Sequence, residues 1–113
     1  MTYKPFDVVV VPFPFTDSAQ TKRRPALILS QNECFNNKIE HSVLAMITSR
    51  KNDPWPLDCP LLNKKQSGLA APSVVRMKLF TLDSRFILGK IGHLSKKDQN
   101  QVKQSLSKLF DYM

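Results

Sequence analysis

The chain has 113 residues, 42% of them hydrophobic and 23% charged, the make-up of one ordinary globular domain. That length excludes two separate cores, and no apolar run approaches the roughly 20 residues that span a bilayer. Seventeen Lys and Arg against nine Asp and Glu give a formal charge of +8, a field that draws phosphate polymers and equally suits an acidic protein partner.

The opening "MTYKPFD" lacks the pattern of a secretory signal and points to the cytoplasm. The β-branched run "FDVVVVPF", Phe6 to Phe13, predicts a strand buried on both faces, ended by Pro12 and Pro14 because proline cannot donate to a ladder. Polar "TDSAQTKRR", Thr16 to Arg24, predicts a loop. "PALILS" predicts a second strand with Pro25 as its first residue, and "QNECFNNKIEH" is irregular with a short turn. "SVLAMITS", Ser42 to Ser49, predicts the third strand, and "RKNDPWP", Arg50 to Pro56, a loop. "LDCPLL" fits a short strand and "NKKQSG" a turn.

"SVVRMKLFTL", Ser73 to Leu82, predicts a long strand. Its period puts Val74, Arg76, Lys78 and Phe80 on one face and Val75, Met77, Leu79 and Thr81 on the other. One face is thus apolar and one carries two cations. "DSR" turns the chain into a further strand, "FILGKIG", Phe86 to Gly92. The period then changes. Ser95 followed by Asp98 predicts a helix start, and Val102, Leu106, Leu109 and Phe110 recur on one helical face. The sum is a mainly β fold with a C-terminal helix: a small, strongly curved antiparallel barrel, with apolar area to spare for oligomerisation.

Three cations, Lys22, Arg23 and Arg24, stand in a row before Pro25. They fit an ordinary solvated loop. They also fit a phosphate site, because arginine stays charged and offers a planar fork of donors, while proline fixes φ beside it. Trp55, between Pro54 and Pro56, fits either a stacking platform for an unpaired base or a core aromatic. Arg76, Lys78 and Phe80 fit a binding surface or a dimer surface. His41 and His93 are expected to be partly exposed or structural. Cys34 and Cys59 lie outside any CxxC motif and read as reduced, partly buried thiols. With the acids scattered, no metal site and no cofactor are expected.

The ordered set "FDVVVVPFPF", "KRRPALILS", "VLAMITS", "SVVRMKLFTLD" and "LGKIGHLS" before a helix resembles the MazF/PemK toxins of type II toxin–antitoxin systems. The likeness runs from about Asp7 to the final helix. It implies an SH3-like barrel, a homodimer and a metal-independent endoribonuclease that cuts single-stranded RNA, neutralised by a cognate acidic antitoxin. The family's catalytic arginine and threonine correspond to Arg24 and Thr48. Around them Gln20, Lys22, Arg23, Ser49, Arg50, Trp55, Arg76 and Lys78 are the expected RNA contacts. Two departures stand out. Pro5 and Phe6 precede Asp7 where the family often has Gly-Asp, and the loop "DSAQTK" keeps Gln20 but lacks a Glu. The alternative within the same fold is a toxin that cuts nothing: a DNA gyrase inhibitor, or an inactive homologue that binds antitoxin or RNA.

Overall fold

Alternating side chains along six strands build the molecule. In the computed structural model, which describes residues 3–13 and 22–112, the strands are β1 (Asp7–Phe13), β2 (Lys22–Ile28), β3 (His41–Ser49), β4 (Cys59–Pro60), β5 (Ser73–Asp83) and β6 (Gly89–His93). They form one antiparallel sheet in the order β4-β5-β3-β2-β1-β6. A π-type turn at Asn32–Asn36 runs into the short α1 (Asn37–Ile39). Helix α2 (Lys64–Ser67) follows β4, and α3 (Lys96–Leu109) ends the chain.

The period of two divides each strand between two cores. On one face Val8, Leu27, Ala45, Ile47 and Val75 meet Leu94 and Val102, so α3 lies over this side. On the other, Val9, Val11, Ala26, Ile28 and Leu44 meet Leu82, with Tyr3 and Ile87 closing one end. The expected mainly β fold with a C-terminal helix is the one observed, and β1 is buried on both faces. Of the predicted helical stripe, Val102 is fully buried and Leu106 packs on the core. Leu109 stays exposed, and Phe110 caps the helix end.

The sheet curls into a half-barrel whose edges, β4 and β6, share no ladder. Helix α2 fills the seam against β6. A Cβ on Gly92 would sit 2.2 Å from the Ser67 carbonyl oxygen, and one on Gly68 would sit 2.0 Å from that of Ile91. Gly68 also holds φ at +77°, so the backbones touch where only glycine fits. The Ser95 hydroxyl accepts the Asp98 N–H at 3.2 Å, as the predicted cap requires. The Asp98 carboxylate is used elsewhere: it accepts the N–H groups of Leu62 and Asn63, tying α3 to the link between β4 and α2.

One strand end keeps its predicted place despite a proline inside the strand, and two boundaries differ from the sequence reading. Strand β1 continues through Pro12 to Phe13. The Val10 carbonyl accepts from Leu88 on the β6 side, so Pro12, two residues on, turns its nitrogen to that same side. The β1–β6 ladder has already stopped at Val10, and the missing donor costs nothing there. Strand β2 begins at Lys22 rather than Pro25, because Lys22, Arg23 and Arg24 pair with Phe13, Pro12 and Val11. Finally, Ser84–Phe86 is a 3-10 turn whose Arg85 N–H is met by the Asp83 carboxylate, which delays β6 to Gly89.

The departure at Pro5-Phe6 is visible in the backbone. Phe6 sits at φ +72°, the left-handed region that suits glycine and costs a bulky residue about 1–3 kcal/mol. The turn holds because the Phe6 N–H donates to Ile28 and its carbonyl accepts from Leu94, at 2.7 and 3.0 Å. Its ring packs on the helix-covered core, with Lys103 Nζ 5.6 Å above it. Just beyond, Asp7 is buried and accepts from Lys4 N–H, His93 Nδ1 and Lys90 Nζ. Burial pushes the Asp7 carboxyl up, but these donors outweigh it and hold the group below its ordinary 3.8. His93 is therefore a structural partner of Asp7, as expected. Cys59 is buried and Cys34 exposed, which corrects the reading of both thiols as partly buried.

Candidate active site

Proline placement opens the site. The Leu29 N–H donates to Val43, so odd-numbered residues of β2 turn their backbone toward β3. Pro25 is one of them and has no N–H. The β2–β3 ladder runs from Ile28↔Leu44 to Ala26↔Met46 and stops there. Continuing the same register by two residues would set Arg24 opposite Thr48. The strands instead part, and a pocket of about 180 Å³ lies at the split. Arg24, Met46, Ile47, Thr48, Asn52, Trp55, Arg76 and Lys78 line it.

Strand β5 supplies the pocket's second wall through a bulge. Ala45 pairs with Leu79 and Ile47 with Val75, so Met46 alone faces Arg76, Met77 and Lys78. The two extra residues keep the parity of the strand and push Arg76 and Lys78 out on the face shared with Phe80. Met77 points back to the core under α3.

The cations differ in their bonding. Arg24 is exposed on β2. Arg76 is only 9% exposed. Its guanidinium grips both oxygens of Asp58 at 3.0 and 3.2 Å and donates to the Asp53 carbonyl at 2.8 Å. The same guanidinium carbon lies 4.9 Å from the centre of the Trp55 ring. Asp58 also accepts the Trp55 N–H at 2.9 Å. Partial burial raises the Asp58 carboxyl, but Arg76 and the Trp55 N–H prevail and hold it below the ordinary range. Trp55 itself is 43% exposed, so it is not a core aromatic. At the far end of β3 the Thr48 hydroxyl oxygen accepts from Asn52 Nδ2 at 2.5 Å. That leaves its O–H available to donate.

Of the residues singled out in the sequence, Arg24, Thr48, Trp55, Arg76 and Lys78 come together in this pocket. Lys22 shares the face of Arg24, whereas Arg23, between them, projects from the opposite face. Ser49 accepts the Lys51 N–H and Arg50 donates to the Pro72 carbonyl; both serve the turn after β3 and neither lines the pocket. Gln20 lies outside the described residues. Asn52 was not anticipated: an Asn in a loop carries no signal until the fold brings it to Thr48. Among the described residues no three His, Cys, Asp or Glu side chains gather as metal ligands, and no helix is long and apolar enough to cross a membrane.

A curled six-stranded sheet with a terminal helix thus holds an arginine and a threonine in one pocket at a strand split. Residues 4–110 match the family model for the PemK-like, MazF-like toxin of type II toxin-antitoxin systems, and the chain belongs to that family. Solved structures share the fold. A MazE–MazF complex from Deinococcus radiodurans superposes with a TM-score of 0.78 at 21% identity, covering 98% of each chain. The Mycobacterium tuberculosis toxin MazF-mt6 gives 0.73 at 22% identity over 93% of this chain and 96% of that one. An endoribonuclease in complex with its cognate antitoxin, from a mycobacterial species, gives 0.73 at 15% identity over 96% and 95%. No curated protein matches the chain in sequence.

Proposed function

We propose that this protein is an endoribonuclease toxin that cuts single-stranded RNA without a metal ion, by attack of the ribose 2′-oxygen on the adjacent phosphate. One observation carries the reading: Arg24 and Thr48, from different strands, line one open cationic pocket. In this reaction the 2′-OH loses its proton, its oxygen bonds to phosphorus, and the 5′-oxygen leaves with a proton. The products are a 2′,3′-cyclic phosphate and a 5′-OH. Negative charge builds on the phosphoryl oxygens, and the Arg24 guanidinium meets it with paired donors. Thr48, held by Asn52, donates its hydroxyl to the same phosphate or to the leaving oxygen. Lys78 adds positive potential on the opposite wall.

The partners follow from charge and exposed surface. A +8 chain with a cationic pocket suits an acidic antitoxin that occupies the pocket and neutralises it. That one solved relative is an endoribonuclease bound to its cognate antitoxin supports this reading. Ile39, Phe86 and Leu88 are all more than half exposed, which gives a second copy of the chain apolar area to cover.

The test is purified protein on single-stranded RNA, duplex RNA and DNA, with chelator present throughout. Cleavage is expected for single-stranded RNA alone, leaving 5′-OH ends. Equal cleavage of DNA, which has no 2′-OH to attack, would overturn the mechanism.

A further inference from the structure

The loop from Asp53 to Asp58 is built around an almost wholly buried arginine, Arg76. Both Asp58 oxygens and the Asp53 carbonyl take its Nε and Nη2 N–H groups, and its central carbon lies 4.9 Å from the centre of the Trp55 ring. With Nε and Nη2 so engaged, the guanidinium is anchored to the loop. What it does is fix an indole. Asp58 holds the Trp55 backbone N–H while Arg76 holds the ring from one side, so both ends of the residue are set. The indole nevertheless remains 43% exposed, at the rim of the pocket that contains Arg24 and Thr48. A large apolar ring held in place and left in water is costly unless something covers it.

We infer that Trp55 is a stacking platform for one unpaired nucleobase beside the phosphate that enters the pocket, and that Arg76 and Asp58 are positioning residues that pre-set the indole. The inference rests on the RNA-cutting reading of the same pocket. It commits to a base because the surface on offer is an aromatic face rather than a hydrogen-bonding edge. Every base has a π-face, so the platform itself tolerates sequence. Arg76 against the ring also strengthens it by a cation–π contact on the covered side. A duplex is excluded, because its bases have no free face to give. Arg76 thereby serves the loop's internal frame as well as lining the pocket.

Trp55 is the chain's one tryptophan, so its fluorescence reports the platform directly. The ligand is a short mixed-sequence single-stranded 2′-O-methyl RNA, which binds but has no attacking hydroxyl. Its end-label anisotropy is read together with indole emission. Quenching in step with binding is expected. An abasic oligomer of the same length should bind about tenfold more weakly and quench nothing. Trp55→Ala should bind intact and abasic oligomers equally, while Trp55→Phe should keep most of the difference. Arg76→Lys should reduce the quench while leaving binding of the abasic oligomer unchanged. Binding without quenching, equal affinity for the intact and abasic oligomers, or no binding at all would overturn the platform. Cleavage of ordinary RNA is scored separately. Cleavage without quenching sinks the platform and spares the nuclease reading; quenching without cleavage does the reverse.

Discussion

The two faces of the curled sheet are made of the same strands and do opposite things. The face under α3 is apolar along its length and sealed by Leu94, Val102 and Leu106. The other is apolar for half its length, around Leu44 and Leu82, and then gives way to Arg24, Thr48, Arg76 and Lys78. The change falls where Pro25 ends one ladder and the β5 bulge loosens another. One sheet thus separates stability from chemistry by face, and places its chemistry where its hydrogen bonding lapses.

The sharpest break of that contrast pairs two substitutions. Leu94→Ala, on the sealed face, should cost about 2–5 kcal/mol in denaturant unfolding, with cleavage per folded molecule unchanged. Arg24→Ala, on the open face, should slow RNA cleavage about a hundredfold or more, roughly 3 kcal/mol, with the unfolding midpoint unmoved. A stability loss in Arg24→Ala matching that of Leu94→Ala would abolish the distinction.

A smaller effect separates two carboxylates, buried Asp7 and half-buried Asp58. The Asp7 carboxyl titrates below the ordinary 3.8 in the folded protein. Its stabilisation is complete above that pH and is lost as pH falls from there through the folded value. Asp7→Asn should lower stability at neutral pH by about 1–3 kcal/mol and flatten the acid limb of the unfolding curve. Asp58 titrates in the same direction, but its partner Arg76 frames the Trp55 loop. Acidification should therefore shift Trp55 emission, and that local change should persist in Asp7→Asn. The smallest change comes last: Asn52→Ala, at an exposed position, should slow cleavage about fivefold, near 1 kcal/mol, with no change in unfolding.

Period and turn chemistry made most of the fold legible in sequence. The β-branched run of β1, the alternation in β5 and the helical stripe ending at Phe110 each carry their own signal. The start of β2 was misplaced because Pro25 was read as its first residue. Pro12 and Pro25 are tolerated inside strands because each turns its nitrogen to a side where pairing has ended, and pairing is not visible in one sequence. Arg24 and Thr48 were reached through resemblance, since an Arg-Pro step and an Ile-Thr strand end are unremarkable alone. Arg76 looked like a phosphate contact because its neighbours Lys78 and Phe80 share its face. Only the fold shows that Asp58, eighteen positions earlier in the chain, takes its Nε and Nη2 groups. Asn52 had no signal at all.

The glycine seam also limits how other chains can attach. Sheets recruit partners by adding a strand at a free edge. Here β4 is two residues long and contains Pro60, and α3 lies beside it, with Cys59 and Gln101 in contact. Strand β6 meets α2 backbone to backbone at Gly92 and Ser67. A visiting strand would have to displace a helix at either border before forming one hydrogen bond. Extension of the sheet at β4 or β6 is thereby hindered, which favours engagement on the open face or on the loops that border it.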